Sequence, residues 1–174
     1  MRFEPIGLEE QIQQLADMAD EIWHEYWPAI IGKEQTDYMV EKYQSFSALA
    51  RDILDERYEY WFLIDDTNDE ERVVGYAGVL TQPEEKSLFI SKIYLFESER
   101  GKGYASRTVR FFERLCSMRN LEYMFLTVNK HNELALRAYK KLGFETVDAV
   151  ETDIGNGFVM DDYIMEKAIN TETA

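Results

Sequence analysis

The chain contains the stretch Lys92-Ile93-Tyr94-Leu95-Phe96-Glu97-Ser98-Glu99-Arg100-Gly101-Lys102-Gly103-Tyr104-Ala105, which is its most informative part. The apolar residues at its start belong to a strand predicted over residues 88–96, and apolar spacing after Ala105 predicts a helix. Where glycines join a strand to a helix, backbone N–H groups can converge on an anion, and the positive end of the helix dipole adds to the attraction. Arg100 and Lys102 bring mobile positive charge to the same turn. The stretch therefore predicts a pyrophosphate cradle.

The two glycines alone do not identify a ligand, because a tight strand-to-helix turn without any ligand gives the same pattern. Two other phosphate-binding loops are excluded. The turn has no Gly-Lys-Ser/Thr ending, so it is not the loop of nucleoside triphosphate-binding proteins. It also lacks the early βαβ unit of the dinucleotide-binding folds.

A second group of residues follows about one helix and one strand later in the chain. It consists of Thr127-Val128-Asn129-Lys130-His131-Asn132, then Ala135, Tyr139, Lys141, Gly143 and Phe144. Together with Arg100-x-x-Gly103-x-Ala105, this group closely resembles the motifs of the GNAT superfamily of acetyl-CoA-dependent N-acetyltransferases. The resemblance covers residues 88–144. It implies an enzyme that moves an acetyl group from acetyl-CoA, the cosubstrate, to a primary amine.

The resemblance also implies roles for particular residues. Those that would bind the cofactor are Ile93, Tyr94, Leu95, Arg100, Gly101, Lys102, Gly103, Tyr104, Ala105 and Asn132. The loop amides would hold the pyrophosphate, whereas the strand backbone and Asn132 would contact the pantetheine arm. Tyr139 would act as the catalytic acid that protonates the departing thiolate. The residues alone favour another interpretation, in which Tyr139 is a core aromatic residue and Asn132 satisfies a free N–H at a helix start.

The general base stays open at this point. Members of the family often carry a Glu on the strand before the phosphate loop, but here that strand reads Ser91-Lys92-Ile93-Tyr94. The carboxylates of Glu25, Asp161 and Asp162 are candidates, and a water relay is an equal alternative.

A narrower resemblance concerns the acceptor. Three stretches are similar to PaiA-type bacterial polyamine acetyltransferases: Trp23-His24-Glu25, residues 30–39 and residues 155–163. This resemblance implies a small-molecule amine as substrate, with spermidine or spermine as the first candidate. The substrate-binding residues would be Trp23, Glu25, Trp27, Asp161 and Asp162. The alternatives are that the tryptophans belong to the core and that the aspartate pair is structural or solvated.

The order of the predicted elements indicates an α+β fold, an α/β sandwich. The resemblance implies a GNAT-like mixed, mostly antiparallel central sheet flanked by helices, with splayed strands around the acetyl-CoA site. We expect one acetyltransferase domain over residues 1–174. Acceptor-side helices would occupy residues 1–57, the sheet and cofactor loop 58–130, and a C-terminal helix and strands 131–169, before a polar tail at 170–174. Members of this fold often pair through late strands, so the resemblance is also compatible with a homodimer, which the sequence itself does not establish.

Composition narrows the class of partner. The net charge of −15 argues against nucleic acid, although residues 92–119 contain seven basic and three acidic residues and so favour a polyanionic ligand there. No stretch approaches the roughly 20 apolar residues that a membrane crossing needs, so no membrane partner is expected. One cysteine, Cys116, and two histidines predict neither a disulfide nor a structural zinc site. These features favour a cytoplasmic, metal-free protein.

Two other functions are kept as alternatives. The first is a GNAT enzyme that acetylates a protein or peptide, although the long segment of residues 23–53 favours a small substrate. The second, from another class, is a non-catalytic sensor that binds acetyl-CoA. Cofactor binding without thioester turnover would indicate this sensor.

Overall fold

A computed structural model describes residues 1–170, so the expected polar tail lies outside the described residues from Thr171 onward. The strands are β1 (Arg2–Pro5), β2 (Glu59–Asp65), β3 (Arg72–Gln82), β4 (Ser87–Leu95), β5 (Tyr123–Asn129), β6 (Glu145–Gly155) and β7 (Phe158–Ala168). The α-helices are α1 (Glu9–Tyr26), α2 (Pro28–Ile31), α3 (Lys33–Met39), α4 (Phe46–Leu54), α5 (Tyr104–Met118) and α6 (Glu133–Lys141). In residues 1–170, no helix has both the length and the apolar character that a membrane crossing requires.

The sequence predicts strands over residues 1–6, 58–64, 73–80, 88–96, 121–128, 144–150 and 157–169, and the observed strands agree to within a few residues. The helices of residues 28–54 differ more. The sequence predicts a helical region that opens at Thr36, whereas α2 already begins at Pro28 and α3 at Lys33. Proline suits the first turn of a helix, because its missing N–H has no partner there in any case. A π-helical turn over Val40–Gln44 then links α3 to α4.

The strands form one seven-stranded sheet in the order β1-β2-β3-β4-β5-β7-β6. The pairs β1–β2, β2–β3, β5–β7 and β6–β7 are antiparallel, whereas β4 and β5 are parallel. This mixed, mostly antiparallel sheet with helices confirms the predicted fold class. The ladder between β4 and β5 covers Ser87–Phe89, whereas β5 is paired with β7 over the whole of Tyr123–Asn129.

The chain divides into two compact units. The first unit comprises Met1–Leu80 and Lys92–Thr108. Its core lies between α1, α4 and strands β2 and β3, with the buried side chains Leu15, Ile22, Leu49, Phe62 and Tyr76. Helix α1 contributes because its apolar residues recur at helical spacing on one face.

The second unit comprises Thr81–Ser91 and the chain from Val109 onward. Its buried side chains include Phe112, Met124, Phe144 and Met165, and the rings of Phe89 and Phe125 stack with their centroids 5.0 Å apart. Strand β6 ends the sheet, and most of its residues are exposed.

Strand β3 contains a glycine where it approaches β4. A Cβ atom at Gly75 would lie 2.1 Å from the carbonyl oxygen of Tyr94 and 3.1 Å from the Cα of Leu95. Both obstacles are backbone atoms, which a side-chain rotation cannot remove. Gly75 therefore sets the position of the β4 segment that is predicted to contact the cofactor.

Replacement of Gly75 by alanine should lower the free energy of unfolding by about 3 kcal/mol, because the new methyl group must displace the backbone of β4. Urea denaturation measures this value. The matched control is Gly7→Ala, because a Cβ at Gly7 meets no atom within 4 Å. Equal stabilities of the two variants would contradict the prediction.

Candidate functional site

The predicted phosphate loop is built by two residues with left-handed backbone. Gly101 has φ +76° and Gly103 has φ +86°, a region that residues with a Cβ rarely adopt. A Cβ would meet no atom within 4 Å at either position, so backbone conformation, rather than space, requires glycine there. Helix α5 begins directly afterwards, and its first bond runs from the Arg107 N–H to the Gly103 carbonyl at 3.1 Å. The geometry of residues 101–104 fits a polyanion, because first-turn amides have no partner within a helix.

Both cations of the loop contact other side chains. The Lys102 Nζ lies 3.1 Å from the Glu99 Oε2. The Arg100 guanidinium lies 4.7 Å from the centre of the Tyr26 ring, which is cation–π geometry. These contacts place positive charge beside the glycines while Glu99 and Tyr26 hold its position.

The strand residues Ile93, Tyr94 and Leu95 end β4 and are half-buried. The ring of Tyr94 packs between those of Tyr76 and Trp23, with centroid distances of 5.5 and 5.4 Å. The structure thus brings a residue predicted to bind the cofactor into contact with one predicted to bind the acceptor.

Trp23 lies in α1 and Trp27 directly follows the helix, and both side chains are buried and adjacent. Their ring centroids lie 5.3 Å apart, and Tyr26 meets the Trp27 ring edge-on at the same distance. Within residues 1–170, the buried Nε1 of Trp27 has no hydrogen-bond partner. Trp23 and Trp27 therefore do belong to the core, while Glu25 lies on the exposed face of α1.

The sequence did not predict a polar cluster formed by Asp52 of α4, Tyr60 of β2 and Lys92 of β4. Lys92 is only 8 % exposed, and its Nζ donates to the Tyr60 hydroxyl and to the Asp52 Oδ2, the latter at 3.4 Å. Tyr60 in turn donates to the same Asp52 oxygen at 2.8 Å. Burial lowers the pKa of Lys92, and the Asp52 carboxylate opposes this shift. Lys92 is the single charged residue of β4, and no spacing along the chain links it to Asp52 or Tyr60.

In the second unit, Asn132 and Tyr139 lie at the start and near the end of α6. The Asn132 Oδ1 accepts from the Ala135 N–H at 3.3 Å, so the helix-capping alternative is confirmed. Tyr139 is half-buried, and its ring meets that of Phe144 edge-on with centroids 5.5 Å apart. Their roles toward acetyl-CoA stay predictions.

The two neighbouring aspartates of β7 differ in environment. The Asp161 Oδ1 forms an ion pair with the Lys130 Nζ at 2.6 Å. Asp162, opposite Asn129 on β5, is only 5 % exposed. Burial, with a smaller contribution from the Asp161 charge, raises the pKa of Asp162 to about 6. Asp162 is thus a buried carboxylate that favours a proton or an ammonium group.

The predicted site residues fall into two sets. The first unit contains the strand residues, the glycine loop, Trp23, Glu25 and Trp27, and the second contains Asn132, Tyr139, Asp161 and Asp162. Spacing along the chain indicated both sets. It gave no sign of the Asp52–Tyr60–Lys92 cluster or of the difference between the two aspartates.

Comparison with known proteins identifies the motifs. A protein-family model described as "Acetyltransferase (GNAT) family" matches residues 16–144. Among curated proteins, the chain is 30% identical over 84 residues to "Uncharacterized N-acetyltransferase YycN" of Bacillus subtilis (strain 168). That match covers 47% of this chain and 54% of YycN, so it spans about half the length of that relative.

Solved structures show the same fold over nearly the whole chain. The PaiA N-acetyltransferase from Thermoplasma acidophilum, in complex with coenzyme A, has a TM-score of 0.73 and 20% identity, and the alignment covers 97% of this chain and 99% of that one. A variant of the spermidine N-acetyltransferase SpeG from Vibrio cholerae has a TM-score of 0.66 and 18% identity, covering 97% and 95%. At these identities the likeness concerns the fold.

Removal of the carboxylate from the Asp52–Tyr60–Lys92 cluster should destabilise the fold. Asp52→Asn should lower the free energy of unfolding by about 3 kcal/mol, because it leaves the buried Lys92 ammonium without an opposite charge. The double variant Asp52→Asn/Lys92→Met should recover most of that loss. Urea denaturation measures both, with Glu122→Gln, which breaks the exposed pair with Lys86, as the control. A double variant no more stable than Asp52→Asn would refute this account.

The raised pKa of Asp162 predicts a stability gain on neutralisation. Its pKa in the folded state, about 6, exceeds the ordinary value of 3.8, so the native state binds the proton more tightly and loses stability as the pH rises between these values. Asp162→Asn should therefore stabilise the protein by about 1–3 kcal/mol at pH 7.5, and by progressively less toward pH 5. Thermal melts across this range test it. A gain that does not depend on pH would exclude titration of Asp162 as the cause.

Proposed function

The chain belongs to the acetyltransferase (GNAT) family, and we propose that it transfers the acetyl group of acetyl-CoA to a primary amine of a small molecule. The observation that carries this proposal is the loop in which two left-handed glycines precede α5 and open space surrounds them. That loop fits the pyrophosphate of coenzyme A. Its amides, from Arg100 to Ala105, would hold the phosphates, and the backbone of Ile93 and Leu95 would align the pantetheine arm.

Bound acetyl-CoA supplies a thioester whose carbonyl carbon accepts an amine. The C–N bond forms as the C–S bond breaks, the amine loses a proton, and the thiolate gains one. Tyr139 is proposed to give the proton to the thiolate sulfur. Because most primary amines are ammonium ions at neutral pH, another group must first take a proton from the acceptor.

Asp162 is the best-supported base among the three carboxylates predicted from the sequence. Asp161 is held by Lys130, and Glu25 lies on an exposed helix face. With a pKa of about 6, the Asp162 carboxylate is mostly ionised at pH 7.5 and is still a usable proton acceptor. It therefore has the protonation behaviour that this step requires.

A polyamine such as spermidine or spermine is the first candidate acceptor. The net charge of −15 and the buried Asp162 carboxylate favour a cationic substrate. One of the similar folds is that of a protein named as a spermidine N-acetyltransferase, which makes polyamines the class to test first.

Two further expectations stay predictions. The chain's single cysteine, which is buried, favours a reducing compartment such as the cytoplasm. A homodimer through the late strands also stays a prediction, and the exposed acidic residues of the edge strand β6 would oppose a direct alignment of two copies there.

The test is thiol release from acetyl-CoA across spermidine, spermine, amino acids and short peptides. We expect turnover with polyamines, and a loss of about 100-fold in kcat for Tyr139→Phe, the low end for a general acid because a thiolate leaves readily. In the wild type, kcat/KM should rise with pH through about 6, and Asp162→Asn should abolish this dependence.

Tyr123→Phe and Asp148→Asn are matched controls in the same unit and should leave the rate unchanged. Turnover with peptides alone would favour the protein-acetylating alternative and reject the polyamine. Binding of coenzyme A without turnover of any amine would reject the proposed function in favour of the sensor.

A further inference from the structure

We infer that Asp65 and Arg72 are positioning residues for coenzyme A, because with Glu99 and Tyr104 they anchor both ends of the glycine loop to β2 and β3. The inference rests on the proposed function only in taking residues 100–105 as the loop that binds the pyrophosphate. It concerns side chains that precede the loop by 27 residues or more along the chain and that no motif includes.

The first anchor holds the residue before the loop. Glu99 is 7 % exposed, and its two carboxylate oxygens accept from the Nε and Nη2 of Arg72, each at 3.1 Å. This two-pronged geometry fixes the orientation of the carboxylate as well as its distance. Burial alone would raise the pKa of Glu99, but the hydrogen bonds from Arg72 and Lys102 outweigh it and lower the pKa. Glu99 is therefore a charged and oriented attachment point.

The second anchor holds the residue after the loop. Tyr104, the first residue of α5, is buried, and its hydroxyl donates to the Asp65 Oδ2 at 2.5 Å. The other carboxylate oxygen of Asp65 accepts from the backbone N–H and the hydroxyl of Thr67, at 3.1 and 2.6 Å. Those bonds from Thr67, followed by the one from Tyr104, hold the pKa of Asp65 well below its usual range. Asp65 is thus rigidly placed at the end of β2.

Arg72 joins the two anchors. Its Nη2, which already bonds Glu99, lies 3.5 Å from the Asp65 Oδ2. The guanidinium also offsets two carboxylates that would otherwise repel a polyanion bound at the adjacent loop. Arg72 therefore acts on the loop both through geometry and through charge.

The anchors matter because the loop between them is intrinsically flexible. Glycine loses more conformational entropy on becoming ordered than any other residue, and both Gly101 and Gly103 are exposed. If their neighbours were not fixed, ordering of the loop would oppose binding of the phosphates. A loop held at Glu99 and at Tyr104 has already lost much of that freedom, and such preorganisation raises affinity.

Calorimetric titration with coenzyme A tests the inference without any acceptor or turnover. Arg72→Gln should weaken binding about tenfold or more, which corresponds to about 1.4 kcal/mol, because it removes the charge-assisted hydrogen bonds that orient Glu99. Tyr104→Phe should weaken it less, and Arg72→Lys should lie between wild type and Arg72→Gln. The double variant Arg72→Gln/Glu99→Gln should bind no more weakly than Arg72→Gln, because the two residues act as one unit.

The control is Arg2→Gln, which removes an arginine of β1 that pairs with Glu4 and Glu71 at 3.1 and 2.8 Å, neither of which belongs to the two anchors. Thermal melts confirm that each variant is folded during titration. With an acceptor identified, KM for acetyl-CoA should rise in Arg72→Gln while kcat and KM for the acceptor stay near the wild-type values.

Wild-type affinity in folded Arg72→Gln, or an equal loss in Arg2→Gln, would overturn the inference. So would a wild-type protein that does not bind coenzyme A. In contrast, a protein that binds coenzyme A with the expected ranking of variants but acetylates no amine would reject the proposed function alone.

Discussion

The left-handed backbone at Gly101 and Gly103 is the constraint on which the rest of the candidate site depends. It turns the end of β4 into the start of α5, so that the first helical amides follow the loop directly. The crossover through α5 in turn allows β4 and β5 to run parallel, which two strands joined by a short hairpin cannot do. On the other side, the absence of a side chain at Gly75 lets β3 hold β4 close by. Local backbone geometry and long-range packing therefore act on the same strand.

The buried charges of the protein differ in what offsets their desolvation. Among the described residues, four charged side chains are buried: Asp65, Lys92, Glu99 and Asp162. The first three have hydrogen-bond partners that offset their desolvation, as stable buried charges require. Asp162 has only the more distant charge of Lys130 to oppose its raised pKa. A protein keeps a carboxylate in such a place at a cost in stability, which is a frequent property of residues that handle protons or bind cations.

The sequence predicted those features that depend on spacing along the chain. The strand–glycine–helix pattern and the group from Asn132 to Phe144 predicted the fold class and the phosphate loop, because the residues of each pattern lie close together in the sequence. The contacts between Lys92 and Asp52 and between Arg72 and Glu99 join residues 40 and 27 positions apart, so no local pattern reveals them. Likewise, Asp161 and Asp162 have the same side chain, but neighbouring residues of a strand point to opposite faces of the sheet. Asp161 therefore pairs with Lys130, whereas Asp162 is buried.

The acidic surface of β6 has a consequence for behaviour at high concentration. This strand ends the sheet, and a terminal strand offers its backbone as a template on which another chain can add. Its exposed acidic residues are Glu145, Asp148, Glu151 and Asp153. Because like charges would meet if two copies aligned there, the strand resists aggregation in dilute salt, and this protection weakens as added ions screen the charges. Ionic strength thus controls the colloidal stability of the protein through one edge of its sheet.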